Sequence, residues 1–314
     1  MKKITIFGGS GFIGSAITEY YSSRNDYLVR VVDNFSRNYR DLSSMNNVEV
    51  VQGDVLDKRA VDQWVNDSDV VVNLAYINGT SNFYDRPREV AAVAVFGQLN
   101  ILESINRSTS VKEFVYASSS EVYSEPSRVP TPEDVSLVIP NIDNPRFSYS
   151  GGKIIGEYAT HYLLNPNIRK LIFRPHNVYG PNMGTNHVIP QLLTRIKKLA
   201  EGSKGLLDVI APLNATRSFF HISDFKRAFG VAYESGGDIT INLGSGQETS
   251  IEELLGTMRA VTGVDLKLNL LPPLVGSPLR RCPDIGKLSD LGFSPRIGLE
   301  AGITECWRVL CKGL

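Results

Sequence analysis

Apolar residues in the first half of the chain come in short runs separated by polar stretches with helical spacing. Lys2 to Phe7 reads Lys-Lys-Ile-Thr-Ile-Phe, Tyr27 to Val32 reads Tyr-Leu-Val-Arg-Val-Val, Val48 to Val51 reads Val-Glu-Val-Val, and Asp69 to Asn73 reads Asp-Val-Val-Val-Asn. Short β-branched runs bounded by turn residues predict strands. The stretch from Ser15 to Ser23 predicts a helix, and strands alternating with helices predict a parallel sheet. Val111–Tyr116, Arg169–Phe173 and Ile239–Leu243 supply a fifth, sixth and seventh strand. Pro87 to Ile105 has helical periodicity, and a further helix carries Tyr149 and runs to about Leu164. The remaining segments, Asn177 to Thr216 and Ser245 to Leu314, are rich in Pro, Gly and helical pieces and predict a discontinuous second lobe. Between Ser124 and Phe147, Pro126, Pro130, Pro132, Pro140 and Pro145 predict a long ordered loop covering the functional site.

The first strand runs directly into Gly8-Gly-Ser-Gly11-Phe-Ile-Gly14. Strand, glycine turn and helix in that order are the context in which such a pattern binds a dinucleotide. Gly8 permits the tight turn, Gly11 lets a pyrophosphate approach the backbone, and Gly14 lets the helix pack against the strand. The helix N-terminus then offers unpaired N–H groups to phosphate. The second strand ends at Asp33, where a carboxylate binds both ribose hydroxyls and repels a 2′-phosphate, favouring NAD over NADP. Arg37 and Arg40 follow closely and soften that preference. Gly53-Asp54-Val55 and Leu74-Ala75-Tyr76 end the third and fourth strands, on the sheet edge where such folds place ligand contacts.

Tyr149 and Lys153 stand one helical turn apart and therefore share a helix face. An ordinary tyrosine titrates near ~10. A neighbouring ammonium favours the phenolate and brings tyrosine towards the range of a general acid/base. A surface pair with no chemical role has the same spacing.

Taken together the chain resembles the extended short-chain dehydrogenase/reductases, in particular the NAD-dependent epimerase/dehydratase branch that remodels nucleotide sugars. The matching residues are the glycine turn, Asp33, Gly53-Asp54, Asn73-Leu-Ala75, Ser118-Ser-Ser-Glu-Val-Tyr123 and Tyr149-x-x-x-Lys153. Phe173-Arg-Pro-His-Asn-Val-Tyr-Gly-Pro181, Arg217-Ser-Phe-Phe-His-Ile-Ser-Asp224, Asn242-Leu-Gly244 and Arg280-Arg-Cys-Pro-Asp284 continue in the family's order. Two departures stand out. Tyr76 ends a motif that more often reads His-Leu-Ala-Ala, and Ala211-Pro-Leu-Asn-Ala215 replaces a Gly-rich turn, which alters the expected contacts to the nucleotide base.

The resemblance implies a Rossmann-type doubly wound parallel sheet of about seven strands, formed by residues 1–176 and 218–244. A smaller mixed α/β lobe, residues 177–217 and 245–314, is then expected to bind the nucleotide sugar. It implies NAD contacts at Gly8, Ser10, Gly11, Phe12, Ile13 and Gly14 of the turn. Asp33, Asn34, Asp54, Val55, Leu74 and Ala75 join them at the strand ends, with Tyr149 and Lys153. Ser119 aligns with the catalytic Ser/Thr and would bond the sugar oxygen that Tyr149 deprotonates, while Lys153 would hold the nicotinamide ribose and keep the Tyr149 phenol acidic. The first step implied is transient oxidation at sugar C4. Glu121 matches a catalytic glutamate of sugar 4,6-dehydratases and uronate decarboxylases, and a structural carboxylate under the loop is its other reading. Ser120 stands where glucose-type dehydratases carry aspartate. Ser119, Ser120 and Asn177 are expected on the sugar or its phosphate, Arg217 with Arg281 (or Arg280) on the pyrophosphate, and Val188-Ile-Pro190 with Val209 along the base. Two helices, about Val90 to Ile105 and Lys153 to Leu164, correspond to a four-helix homodimer interface.

Composition narrows the field without redirecting it. Lys plus Arg and Asp plus Glu balance at 33 each, so no global charge draws the chain to nucleic acid or an anionic membrane. No apolar run approaches the ~20 residues of a membrane span, and the chain opens on a strand rather than a signal peptide. Cys282, Cys306 and Cys311 form neither a disulfide framework nor a zinc spacing. A cytoplasmic, metal-free protein is the plain expectation from composition, and the family resemblance adds a role in polysaccharide biosynthesis. Three functions stay open: a nucleotide-sugar epimerase or dehydratase that regenerates its cofactor, a dehydrogenase, ketoreductase or uronate decarboxylase of the same family, and a catalytically silent NAD-binding regulator.

Overall fold

Lys2–Phe7 (β1), Tyr27–Asp33 (β2), Val48–Gln52 (β3), Val70–Asn73 (β4), Glu113–Ala117 (β5), Arg169–Pro175 (β6) and Ile239–Leu243 (β7) form one parallel sheet. Their order across it is β7-β6-β5-β4-β1-β2-β3. The computed structural model describes residues 1–37, 40–185, 187–202, 205–273 and 276–312. The expected Rossmann-type sheet is therefore present, and its strand order reverses between β1 and β4. In such sheets the crevice beyond the strand ends at the reversal is the ligand site.

The short apolar runs become central strands because both sheet faces are covered, and side chains alternate between them. Ile4, Ile6, Val70 and Val72 face one core with Ile17 of the Phe12–Ser22 helix and Phe225 and Phe229 of the Ile222–Glu234 helix. Phe7, Val71 and Phe114 face the other, against Val61, Ile101 and Ile105. Each such buried side chain contributes about 1.5–3 kcal/mol. A third apolar cluster lies in the C-terminal half, where Leu192, Leu193 and Ile196 of the Val188–Ala200 helix meet Leu254, Met258 and Ile303 of the Ile251–Thr262 and Leu299–Lys312 helices.

Two elements differ from the sequence expectation. The first helix begins at Phe12 rather than Ser15, because Gly11 is extended (φ −69°, ψ 172°) and turns the chain straight into the helix. The stretch expected as one helix from Pro87 to Ile105 contains a π-helical segment, Val93–Gly97, between Pro87–Ala92 and Gln98–Arg107. At that wide turn the chain lies so close to Val55 that a Cβ on Gly97 would stand 2.6 Å from a Val55 methyl.

The proline-rich loop is tied down at its middle. Thr131 donates its N–H to Cys282 and accepts one from Asp284, Val138 donates to Val122, and the Glu133 carboxylate accepts from the Asn242 N–H. A small three-stranded sheet, Thr249–Ser250, Thr216–Arg217 and Arg280–Arg281, places Arg217 and Arg281 side by side in parallel register. That pairing brings Arg281 to the wall of the crevice, with Arg217 beside it.

Candidate active site

The glycine turn closes because each glycine occupies space a side chain cannot. Gly8 has φ +77°, and a Cβ there would sit 2.7 Å from Ala75 N; on Gly14 it would sit 2.1 Å from the Gly8 carbonyl. On Gly11 it would meet only the Gly8 carbonyl, at 3.3 Å. The Phe12–Ser22 helix has no side-chain cap and no acidic residue in its first turn, so its N-terminal dipole points uncompensated into the crevice. Asp33 is aimed by two backbone donors, Ser10 N at 3.0 Å and Phe35 N at 2.9 Å. Burial raises its pKa, opposed by those bonds and by Arg37. An open helix N-terminus for phosphate beside an oriented carboxylate for ribose fits a dinucleotide.

Deeper in the crevice, Ser119, Tyr149 and Lys153 converge. Ser119 follows β5, its Oγ accepts the Glu121 N–H at 3.1 Å, and its side chain is near enough to Tyr149 to lower the phenol's pKa. Tyr149 and Lys153 lie on the buried face of the Phe147–Tyr162 helix. Lys153 Nζ donates to the Ala117 carbonyl at 2.6 Å. Burial pushes the Tyr149 phenol up to about 12, while Ser119, Arg37 and Arg281 pull it down and Glu121 raises it. Burial also pulls the Lys153 ammonium down to about 7, against the charge of Glu157. The acid-shifted phenol expected from the sequence is thus not what this structure shows, because the same burial that brings the pair together disfavours both charges. Behind Lys153, Glu157 forms a buried ion pair with Arg174 at 2.6 Å and accepts from Ser118.

Glu121 is held among arginines. Arg281 donates to its Oε1 at 2.6 Å, and Arg146 lies 3.8 Å from Oε2. Burial alone would raise the Glu121 pKa, but Arg281, Arg146 and Arg217 lower it overall, so the group is a carboxylate at neutral pH. Burial and the Arg281 charge pull Arg217 down to about 10. Among the described residues, Nε of both Arg146 and Arg281 is buried with no hydrogen-bond partner.

Most of the expected residues line one crevice. Gly8, Gly11, Phe12, Ile13, Gly14, Asp33, Asn34, Asp54, Val55, Leu74 and Ala75 surround one part of it, and Ser119, Ser120, Glu121, Tyr149, Lys153, Asn177 and Arg281 another. Six expected residues lie off its wall: Ile189 and Val209 are instead buried in the C-terminal apolar cluster, Pro190 follows Ile189 in the same helix, and the other three are Ser10, Val188 and Arg217. Ser10 is buried behind the turn on Asp33. Val188 is 39% exposed at a helix start whose neighbour His187 faces the crevice instead. Arg217 bonds the Thr216 carbonyl and Ser277 Oγ, within electrostatic reach of Glu121. Of the two arginines proposed for the second clamp, Arg281 faces the crevice, whereas Arg280 is exposed and paired with Glu248 at 2.7 Å. Sequence reasoning missed Arg37 as a wall residue, Tyr76, Phe83 and His187, and it missed Arg146 beside Glu121. Tyr76 left a trace as the departure in Asn73-Leu-Ala-Tyr76, and Arg37 as the basic residue following Asp33.

A dinucleotide-shaped crevice ending in a Ser-Tyr-Lys cluster defines an oxidoreductase-type centre. Comparison with known proteins narrows this. Residues 4–244 match the model of the NAD dependent epimerase/dehydratase family. A protein of Methanocaldococcus jannaschii named "Putative UDP-glucose 4-epimerase" is 30% identical over 96% of this chain and 95% of its own. The UDP-N-acetyl-alpha-D-glucosaminuronate decarboxylase of Bacillus cytotoxicus is 29% identical over 97% of this chain and 96% of its own. The UDP-glucuronic acid 4-epimerase of Bacillus cereus, solved with UDP-glucuronic acid and NAD, superposes with a TM-score of 0.87 at 26% identity over 99% of both chains. The chain belongs to the NAD-dependent epimerase/dehydratase family of extended short-chain dehydrogenase/reductases, and it is an NAD-dependent enzyme of nucleotide-sugar chemistry.

Proposed function

We propose that this enzyme is a nucleotide-sugar 4-epimerase. The observation that carries the choice among the family's reactions is the fixed, ionised Glu121. A dehydratase needs a base that takes the C5 proton, and a useful base has a pKa near the working pH. Glu121 has three arginines lowering its pKa and a 2.6 Å bond to Arg281, so it is weakly basic and already engaged. Epimerisation requires no acid or base beyond the group that serves the C4 hydroxyl.

In this reading bound NAD supplies reversible two-electron oxidation of the sugar carbinol. The Phe12–Ser22 helix start would hold its phosphates and Asp33 its ribose hydroxyls. Ser119 bonds the C4 oxygen, and Tyr149 takes the proton from that oxygen and returns it to the same oxygen once the 4-keto sugar has presented its other face for reduction. Burial holds the Tyr149 phenol up at about 12, and a charged Lys153 beside it would favour its ionisation in the loaded site. Asn177, Arg217 and Arg281 hold the sugar diphosphate, for which forked guanidinium donors are suited, and Val188, at the exposed start of its helix, flanks the base. Residues 1–176 with 218–244 act as the NAD-binding unit, and 177–217 with 245–314 as the sugar-binding lobe.

A second reading, uronate decarboxylation, is favoured by the unpartnered Nε groups of Arg146 and Arg281, which offer a buried place for a carboxylate. Loss of carbon dioxide from a nucleotide hexuronate separates it from epimerisation.

The enzyme acts as a cytoplasmic homodimer in polysaccharide biosynthesis, with no metal, nucleic-acid or membrane partner. Supporting the dimer, Phe96, Ile155, Tyr158, Tyr162 and Leu163 are all at least 43% exposed on the two neighbouring helical segments. Among the described residues, no helix is long and apolar enough to cross a membrane, and no His/Cys/Asp/Glu group is arranged to hold a metal.

The test is Tyr149→Phe. Turnover of the nucleotide sugar falls by about 10²-fold or more, while NAD affinity, read by calorimetry, stays within a few-fold. Near-normal turnover would sink the assignment.

A further inference from the structure

Tyr76 lies outside the roles assigned above, yet it touches both members of the proton-transfer pair. Its ring packs edge-on against Tyr149, with centroids 4.9 Å apart and planes at 76°. Its hydroxyl donates to the Tyr149 carbonyl at 3.2 Å. Lys153 Nζ stands over its ring face, 3.9 Å from the centroid, against 5.1 Å for Tyr116 and 5.9 Å for Tyr149. Phe83 stacks on Tyr149 as well, centroids 4.9 Å apart at 26°. Tyr149 is therefore fixed by two aromatic neighbours, one of which also faces the lysine.

We propose that Tyr76 is a positioning residue of the proton-transfer centre, its ring face holding the Lys153 ammonium while its edge and hydroxyl fix Tyr149. The inference rests on the reading of Tyr149 and Lys153 as that centre. A cation over an aromatic face is attracted by the ring quadrupole, and more strongly when desolvated. Lys153 is only 3% exposed. The other groups facing it are the Ala117 carbonyl and Tyr116 from β5, and Tyr149 and Glu157 from its own helix. Glu157 is shared with Arg174 and Ser118, so its charge is largely spent elsewhere. After the Ala117 carbonyl, the Tyr76 ring is the nearest group on the crevice side that favours a charged lysine.

The helix is shaped around this ring. A Cβ on Gly152 would sit 2.1 Å from the Tyr76 hydroxyl and 2.5 Å from the Ala94 methyl, so only glycine fits beside it. Gly152 and Tyr76, far apart in sequence, make one fitted contact. A ring placed merely to fill space would do so too, and the experiment separates the two roles.

Full-length protein is labelled with [ε-13C]lysine, with and without NAD, and the Lys153 signal is assigned through Lys153→Arg. Its titration is followed in wild type, Tyr76→Phe, Tyr76→Leu and Tyr76→Met, folding being checked by circular dichroism. Tyr76→Phe keeps the ring and titrates as wild type, whereas Leu and Met lower the midpoint by about one pH unit. In nucleotide-sugar turnover the same two variants lose about tenfold in kcat with little change in KM, and their pH profile moves with the lysine. Unchanged Lys153 midpoints in the folded Leu or Met variant would overturn the proposal. Because the NMR titration needs no substrate, failure to turn over any nucleotide sugar contradicts the proposed function and leaves this inference decided on its own readout.

Discussion

At the residue scale, the chemistry depends on a few buried polar groups whose charges are set by their neighbours. Glu121 shows how this couples function to stability. Removing one partner of a buried ion pair leaves the other uncompensated, at a cost of about 3–5 kcal/mol. Glu121 is itself 29% exposed at the side chain, so Glu121→Ala is expected at or below the low end of that range, measured by urea denaturation. Glu121→Gln retains a hydrogen-bond acceptor for Arg281 and loses less. In a 4-epimerase it reduces kcat modestly; complete loss of turnover with intact folding would point to a proton-transfer role instead. Ser119, Tyr149 and Lys153 were legible in the sequence because they sit at fixed places in strand-end and helix motifs. Arg146 and Tyr76 were not, because their importance arises from where loops bring them. Arg146 reaches Glu121 from the end of the long proline-rich loop.

At the element scale, the strands read cleanly because β-branched runs buried on both faces leave little choice of structure. The glycine turn was equally readable, and it makes a sharp prediction. Gly14→Ala would place a methyl 2.1 Å from a backbone carbonyl that cannot move without opening the turn. NAD affinity is expected to fall at least tenfold by calorimetry, with a lower Tm; Gly11→Ala, meeting one atom at 3.3 Å, costs less stability. The π-helical turn at Val93–Gly97 was not readable, since apolar spacing does not distinguish one wide turn within a helix. It matters because Val93 faces the crevice and Phe96, three residues on, is 62% exposed. The pairing of Arg217 with Arg281 was also beyond the sequence, as two-residue strands carry no periodicity.

At the scale of the whole molecule, two expectations concern how the fold holds together and associates. Burial pulls His176 down to about 3 and His187 to about 4, so both are neutral in the folded state at neutral pH. The unfolded chain binds those protons near ~6.5. Between about 6.5 and 3 the unfolded state therefore holds more protons, and stability declines as pH falls through that window. Denaturation midpoints measured at successive pH values will show the decline, and His176→Gln will flatten it. Tyr158→Asp, on the exposed helical face, will shift a dimer towards monomer in sedimentation velocity; an unchanged sedimentation coefficient at dimer mass would move the interface elsewhere.

The central claim is oxidation at sugar C4 followed by return to either face, with Glu121 removing no carbon-bound proton. It is tested most directly by incubating the enzyme with nucleotide hexoses and hexuronates in deuterium oxide, then analysing products by mass spectrometry and proton NMR. The account predicts a new C4 stereoisomer with no carbon-bound deuterium and no accumulation of reduced cofactor. Loss of water with deuterium in the product, loss of carbon dioxide, or net cofactor reduction would contradict it.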